Sequence, residues 1–374
     1  MIGNTVRRRF EVIEITNEMP HNRIGGVGSV IESLMSGFEA IGVEALWYVT
    51  DHEYPAHEID AILAAHRNVV FGSHAELAEF EAPVAHIHSY NHPPGLTAAL
   101  DGTRSLFTIH SLLAQEEVSN DVDLRGAVAG QERLIAGCDE VALVSNAERA
   151  YYDRLGYERL NDRVSVVHNG IALPPPRTDR RARGVIGYCG RLVPRKHPEY
   201  AQMLLREPGF ERFRTMIAGK AFSRYARDLV RELAIEDRVH YLGWCGGPRL
   251  EAFYDAIDVL VQPSTYEPFG LAALEAAARG IPLVCTRVDG LVEVLGECAI
   301  YCDDTSYAGF RAAMRRWRDA DPEVLAEMAL GARARARAHF TDVAMAGRYR
   351  DRFDALAAPA PPPQQIEATE NSDR

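Results

Sequence analysis

Residues 263–275 read PSTYEPFGLAALE. A helix start needs a cap and an apolar face, and the alanine-rich pattern from Leu271 onward supplies the face. Glu267-Pro268-Phe269-Gly270 is more than such a start requires, and a second carboxylate, Glu275, follows inside the helical pattern. Pro268 lets the chain turn into the helix, and Gly270 shapes that turn. The amides near Phe269, Gly270 and Leu271 would be unpaired first-turn donors, a setting that favours a diphosphate. Glu267 in the loop and Glu275 in the helix would then accept from hydroxyls on either side of it. A diphosphate flanked by two hydroxylated rings is a nucleotide sugar.

The flanking runs DVLVQPS and IPLVCTR are short and apolar, as buried strands are. The same strand pattern recurs upstream in VIGYCGRL, RTMIAGKA and VHYLGW, and downstream in AIYCDD, with helical stretches between. An earlier series, FEVIEIT, ALWYVT, VAHIHSY, SLFTIH, EVALVS and VSVVHNGI, alternates in the same way. Strand–helix alternation predicts a parallel sheet with helices on both faces. Between the two series lies ALPPPRTDRRARG (172–184), whose prolines and arginines read as a linker. The fold expected is therefore α/β, two doubly wound domains in tandem, residues 1–174 and 184–338, with a cleft between their strand ends. The stretch 323–357 is strongly helical and rich in Ala and Arg, and 359–374 has the composition of a disordered tail.

With 374 residues, 47% hydrophobic and 25% charged, the chain suits two soluble domains and contains no apolar run long enough to span a membrane. The start, MIGNTVRRRFEVIEIT, has acidic residues within a strand-like pattern, unlike a signal peptide. The six cysteines are scattered without zinc spacing and read as buried thiols, so a reducing, cytoplasmic location is expected. Residues 1–175 hold 12 Arg, no Lys and 25 Asp plus Glu, a net of -13, while the rest of the chain nets about +1. That balance argues against nucleic acid or an anionic membrane as a partner of the first half, and favours cationic ligands.

Four groups of residues carry the chemistry besides the two glutamates. Gly25-Gly26-Val27-Gly28 precedes the first long helix, where close backbone and a helix N-terminus suit an anion; Gly26 and Gly28 are the candidates. His110 ends a strand of the first domain, where its side chain would project into the cleft. His86 and His88 alternate on one face of another strand; they could pair on a metal, but no third ligand follows at a recognisable spacing, and no metal is expected. Arg191 and Lys196 follow the first strand of the second domain. Lys196 and Lys220 are the only lysines against 39 arginines, which points to a role for a compact ammonium beside phosphate.

Taken together, GGVG, VSNAERAYYDRLGY, VVHNGI, GRLVPRKH and EPFGLAALEAAARGIPLVCTRVDGLVEVL resemble the retaining glycosyltransferases of the GT-B fold, in the large family four. The resemblance covers nearly the whole chain. It implies that Glu275 binds the nucleotide's ribose and Glu267 the donor sugar. Arg191 and Lys196 would neutralise the leaving diphosphate, helped by backbone at Gly26 and Phe269–Leu271. His110 would sit beside the donor sugar, and the strand ends at Ala218–Lys220 and Gly243–Cys245 would hold the base. It also implies a last helix, about 339–358, crossing back to the first domain, and no metal or other cofactor beyond the nucleotide sugar, UDP-sugar foremost. Two positions depart from the pattern. IAGKAF lacks a second glycine, and Asp289 stands where the turn before Gly290 usually has a first one.

The activity expected is transfer from a nucleotide sugar to a hydroxyl of a soluble, amino-bearing natural-product acceptor such as an aminocyclitol. The alternatives are a polysaccharide or lipid-linked acceptor, or a noncatalytic scaffold subunit. Oligomeric state is open.

Overall fold

The structure, a computed structural model, describes residues 8–20, 26–50, 54–88, 92, 95–100, 102–176 and 184–359. Gly25 of the glycine loop, most of the arginine-rich end of the linker, and the expected tail from 360 onward lie outside the described residues.

The first half contributes strands β1 (Arg8–Arg9), β2 (Val12–Thr16), β3 (Ala45–Val49), β4 (Val69–Phe71), β5 (Phe80–Glu81), β6 (Val84–Ile87), β7 (Arg104–Ile109), β8 (Glu140–Leu143) and β9 (Val164–Val166). The second contributes β10 (Val185–Cys189), β11 (Arg214–Ala218), β12 (Val239–Gly243), β13 (Val259–Gln262), β14 (Leu283–Thr286) and β15 (Ile300–Cys302). Apart from the short pair β1–β5, they form a seven-stranded sheet ordered β4-β3-β2-β6-β7-β8-β9 and a six-stranded sheet ordered β12-β11-β10-β13-β14-β15. The strand pairs within both sheets are parallel. Each sheet starts in the middle, adds its next two strands on one side and the rest on the other. This is the doubly wound, Rossmann-like order, and the architecture is the α/β pair expected.

The strands read as continuous apolar runs because both sheet faces are covered: β8, β13 and β14 are buried along their whole length. Glu14 stands out as a fully buried carboxylate in the middle of β2. In each sheet the strand order reverses once, between β2 and β6 and between β10 and β13. Chain connections diverge at such points and open a crevice at the strands' carboxyl ends.

The C-terminal helical stretch is two helices, Pro322–His339 and Asp342–Ala357. Thr341 divides them, its hydroxyl accepting from the Ala344 amide as an N-cap. The first helix packs Ala332 and Ala336 against Ala273 and Ala277 of the second domain. The second inserts Met345, Ala346, Tyr349 and Phe353 among Val30, Leu34 and Phe38 of the first domain. Full burial of such a side chain contributes roughly 1.5–3 kcal/mol, so the returning helix is part of the first domain's core. Gly37 makes the close approach: a Cβ there would lie 2.8 Å from the Ala346 Cβ. None of the described helices is long and apolar enough to cross a membrane.

Candidate functional site

A cleft of about 400 Å³ lies between the two sheets, at both reversal points. The second domain's wall includes Arg191, Arg195, Lys196, Lys220, Glu267, Phe269, Gly270, Leu271 and Glu275. The opposite wall includes Glu18, Gly26, His88, His110, Ser111 and Glu116.

Two helix N-termini meet across this space. Gly26 caps the helix Val27–Ile41, and Gly270, at φ 94°, caps the helix Leu271–Arg279. Only glycine adopts that left-handed geometry at no steric cost, which explains Gly270 in the motif. A Cβ on Gly26 would lie 3.0 Å from the Leu271 Cδ1, so the two ends are in contact. Both present the positive end of a helix dipole to the cleft. Gly28 stands back from the wall and donates its amide to Glu18 at 3.2 Å, so it is not placed with Gly26 as sequence reasoning had it. Gly243 also lies behind the wall, which is formed there by Trp244 and Cys245.

The charged groups of the motif are paired. Lys196 Nζ lies 2.8 Å from Glu267 Oε2, with both side chains largely buried. Burial alone would raise the Glu267 carboxyl, but Lys196 and Arg195 hold it below the usual range. The Ser264 hydroxyl also donates to Glu267, at 3.2 Å. Glu275 accepts from the Tyr254 hydroxyl at 2.6 Å. Arg191 donates to Glu116 at 2.6 Å, and Arg195 donates to the same carboxylate oxygen at 2.9 Å. Glu116 belongs to the first domain, so this fork ties the domains together across the cleft. The two guanidiniums override the effect of burial and hold Glu116 far below the carboxylate range. Arg191 therefore reaches the cleft as half of an interdomain ion pair rather than as a free cation.

The loop 264–270 is pinned from behind. The Thr265 amide donates to the Arg195 carbonyl at 2.7 Å, and Arg195 donates to the Tyr266 carbonyl. The Glu267 amide donates to Asp289 Oδ2 at 3.1 Å, and the Gly290 amide returns to the Glu267 carbonyl at 3.1 Å. Asp289 adopts φ 43°, a left-handed conformation that asparagine and aspartate tolerate best after glycine. Its other oxygen accepts from Tyr151 of the first domain at 3.1 Å.

His110 lines the cleft and is joined to His88, Nε2 to Nδ1, at 3.2 Å. His88 Nε2 in turn lies 2.6 Å from Glu14 Oε2, and His86 Nδ1 lies 2.9 Å from the same oxygen. The third member of the group that the sequence spacing did not reveal for His86 and His88 is thus Glu14, on the adjacent strand β2.

Residues 177–335 match the family described as Glycosyl transferases group 1, and residues 24–173 match Glycosyltransferase Family 4. A "D-inositol 3-phosphate glycosyltransferase" of Kineococcus radiotolerans is 30% identical over 307 residues, 71% of this chain and 70% of that protein.

This chain belongs to glycosyltransferase family 4.

A protein of the same name from Saccharomonospora viridis is 32% identical over 243 residues, covering 57% of this family 4 chain and only 55% of its own length. Among solved structures, Anabaena Alr3699/HepE in complex with UDP-glucose superposes with a TM-score of 0.71 at 17% identity, covering 92% of this chain and 100% of that one. That likeness establishes the GT-B fold.

Of the residues expected from sequence, the family 4 cleft brings together Gly26, His110, Arg191, Lys196, Lys220, Glu267, Phe269, Gly270, Leu271 and Glu275. Sequence reasoning missed Glu116, Arg195 and Tyr254. Arg195 was within reach, between Arg191 and Lys196 in the quoted run GRLVPRKH. Glu116 and Tyr254 sit on other elements, and no local pattern marks them.

Proposed function

We propose that this family 4 chain is a retaining glycosyltransferase that moves a hexose from a nucleotide diphosphate sugar, UDP-sugar foremost, to a hydroxyl of a soluble, amino-bearing acceptor. The observation that carries this reading is the meeting of two helix N-termini, Lys196, Glu267 and Glu275 in one cleft. The diphosphate lies between the helix ends and Lys196. Glu275 and Glu267 accept from ribose and sugar hydroxyls on its two sides. The second domain holds the donor and the first faces the acceptor. The sugar C1–O bond breaks with its electron pair leaving on the diphosphate, and the acceptor oxygen bonds C1 on the same face. The acceptor's proton passes to the departing phosphate oxygen. Lys196 and the helix ends stabilise the charge that develops there, the work a metal ion does in other transferases.

The first domain's contribution to the described wall supports the acceptor class. Its acidic side chains there are Glu18 and Glu116, the second already paired with Arg191 and Arg195, and the wall includes no Arg or Lys from that domain among the described residues. A second reading, a phosphorylated cyclitol acceptor, is favoured by the relatives' names. The test is a transfer assay offering UDP-glucose with aminocyclitols, neutral sugars and inositol phosphate, with the product's anomeric coupling read by proton NMR. Axial-linked product on an aminocyclitol, with KM rising with salt, supports the proposal. Transfer only to inositol phosphate establishes the second reading, and inverted product refutes retention.

A further inference from the structure

Outside the proposed donor site, a buried cluster stands at the first sheet's reversal point. Glu14 of β2, His86 of β6 and His88 just beyond it are fully or almost fully buried. His86 Nε2 lies 2.7 Å from Thr108 Oγ1, which lies 3.0 Å from the Tyr349 hydroxyl of the returning helix. The cluster thus runs from the C-terminal helix, through three strands, to His110 at the cleft.

Two readings fit a carboxylate between two imidazoles, a metal site or a hydrogen-bonded relay. Ligands of one tetrahedral zinc, each about 2.0–2.1 Å from the ion, would stand more than 3 Å apart. Glu14 Oε2 and His88 Nε2 stand 2.6 Å apart, a hydrogen-bond distance. The other nitrogens of both imidazoles are occupied, by Thr108 and by His110. The geometry is that of a relay.

We propose that Glu14 and His88 are positioning residues that fix the tautomer of His110, a role that rests on the glycosyltransferase reading. An ionised carboxylate only accepts, so His88 gives it the proton on Nε2 and keeps a lone pair on Nδ1. That lone pair requires His110 to donate from Nε2. His110 Nδ1 is then the nitrogen with a free lone pair, able to accept from a substrate hydroxyl in the cleft. Burial disfavours a charged imidazole at both His88 and His110, and His86 and His88 keep Glu14 ionised against its own burial.

The first test needs no turnover: nitrogen-15 NMR of histidine-labelled protein. His110 protonated on Nε2 in the wild type, and a shifted tautomer mixture in Glu14→Gln, supports the relay. His110 protonated on Nδ1, or unchanged by Glu14→Gln, overturns it. The second is kinetic. Glu14→Gln is expected to lower kcat by about tenfold or more with donor KM little changed, as losing an orienting partner does elsewhere. In a His110→Phe background the same change should cost nothing further. Additive losses would mean a merely structural role and overturn the proposal. Because Glu14→Gln could unfold the chain, Glu14→Leu/His88→Phe supplies an apolar replacement, expected to fold yet match His110→Phe in rate. Zinc raising the melting temperature of the wild type but not of Glu14→Gln would assign the cluster to a metal and also overturn it. If no nucleotide sugar is turned over at all, the glycosyltransferase reading fails while the tautomer result stands.

Discussion

At the scale of single residues, the proposed donor grip depends on groups that are paired before any ligand arrives. Lys196 sits 2.8 Å from Glu267, so on the proposed reading its ammonium is already in position when a diphosphate takes on charge. Lys196→Ala is expected to lower kcat by about two orders of magnitude, the loss seen when one preorganised donor to a transition-state charge is removed. Release of nucleoside diphosphate measures this, and a change confined to donor KM would instead mean uniform binding. Tyr254 fixes Glu275 through a 2.6 Å hydrogen bond. Tyr254→Phe should weaken donor binding several-fold, about 1 kcal/mol, without a comparable loss of kcat. Glu267, Glu275 and Lys196 could be read from sequence because they lie in local patterns with a chemical meaning. Their supporting partners could not: Arg195 meets Glu116 from 79 positions away, and His88 meets Glu14 from 74. Buried polar groups find partners through the fold, and no periodicity encodes that.

At the scale of elements, the loop 264–270 and the helix Asp289–Leu295 act as one piece. A Cβ on Gly290 would fall 2.6 Å from the Pro268 carbonyl oxygen and 2.8 Å from the Phe269 nitrogen. These are backbone atoms, which yield only by moving the loop. Gly290→Ala should therefore destabilise the chain by about 1–3 kcal/mol and weaken nucleotide binding, both visible in thermal denaturation with and without nucleotide. The strands themselves were legible because a buried parallel strand is a short apolar run between turn signals. β4, Val69–Phe71, was not read as a strand. Nor did composition separate the two C-terminal helices. Ala and Arg suit a helix throughout, and the break rests on one side-chain cap at Thr341.

At the scale of the whole molecule, the two domains are latched by polar contacts. Glu293 of the second domain accepts from the amides of Asn146 and Ala147, at 2.9 and 2.7 Å, at the start of a first-domain helix. Glu148 of that helix accepts from the second domain's Tyr266 hydroxyl at 2.7 Å. Burial pushes the Glu148 carboxyl up to about 7. The folded chain then keeps a proton that the unfolded chain has lost between the ordinary glutamate range and about pH 7. Its contribution is present in acid and disappears as pH rises through that window, by roughly 3 kcal/mol at most. His88, lowered to about 4 by burial, acts in the opposite sense over part of the same range. The clean observable is therefore the melting-temperature difference between wild type and Glu148→Gln, expected to turn against the wild type as pH rises from 5 to 8. A difference independent of pH would show that Glu148 does not titrate there. On the function proposed here, the cleft grips a nucleotide diphosphate through Lys196, Glu275 and the helix ends. Titration calorimetry of UDP, GDP, ADP and dTDP against wild type, Lys196→Ala and Glu275→Gln tests this. The expected result is one preferred nucleotide whose affinity falls about tenfold or more in both variants; no binding by the folded wild type, or equal binding by all three proteins, would contradict it.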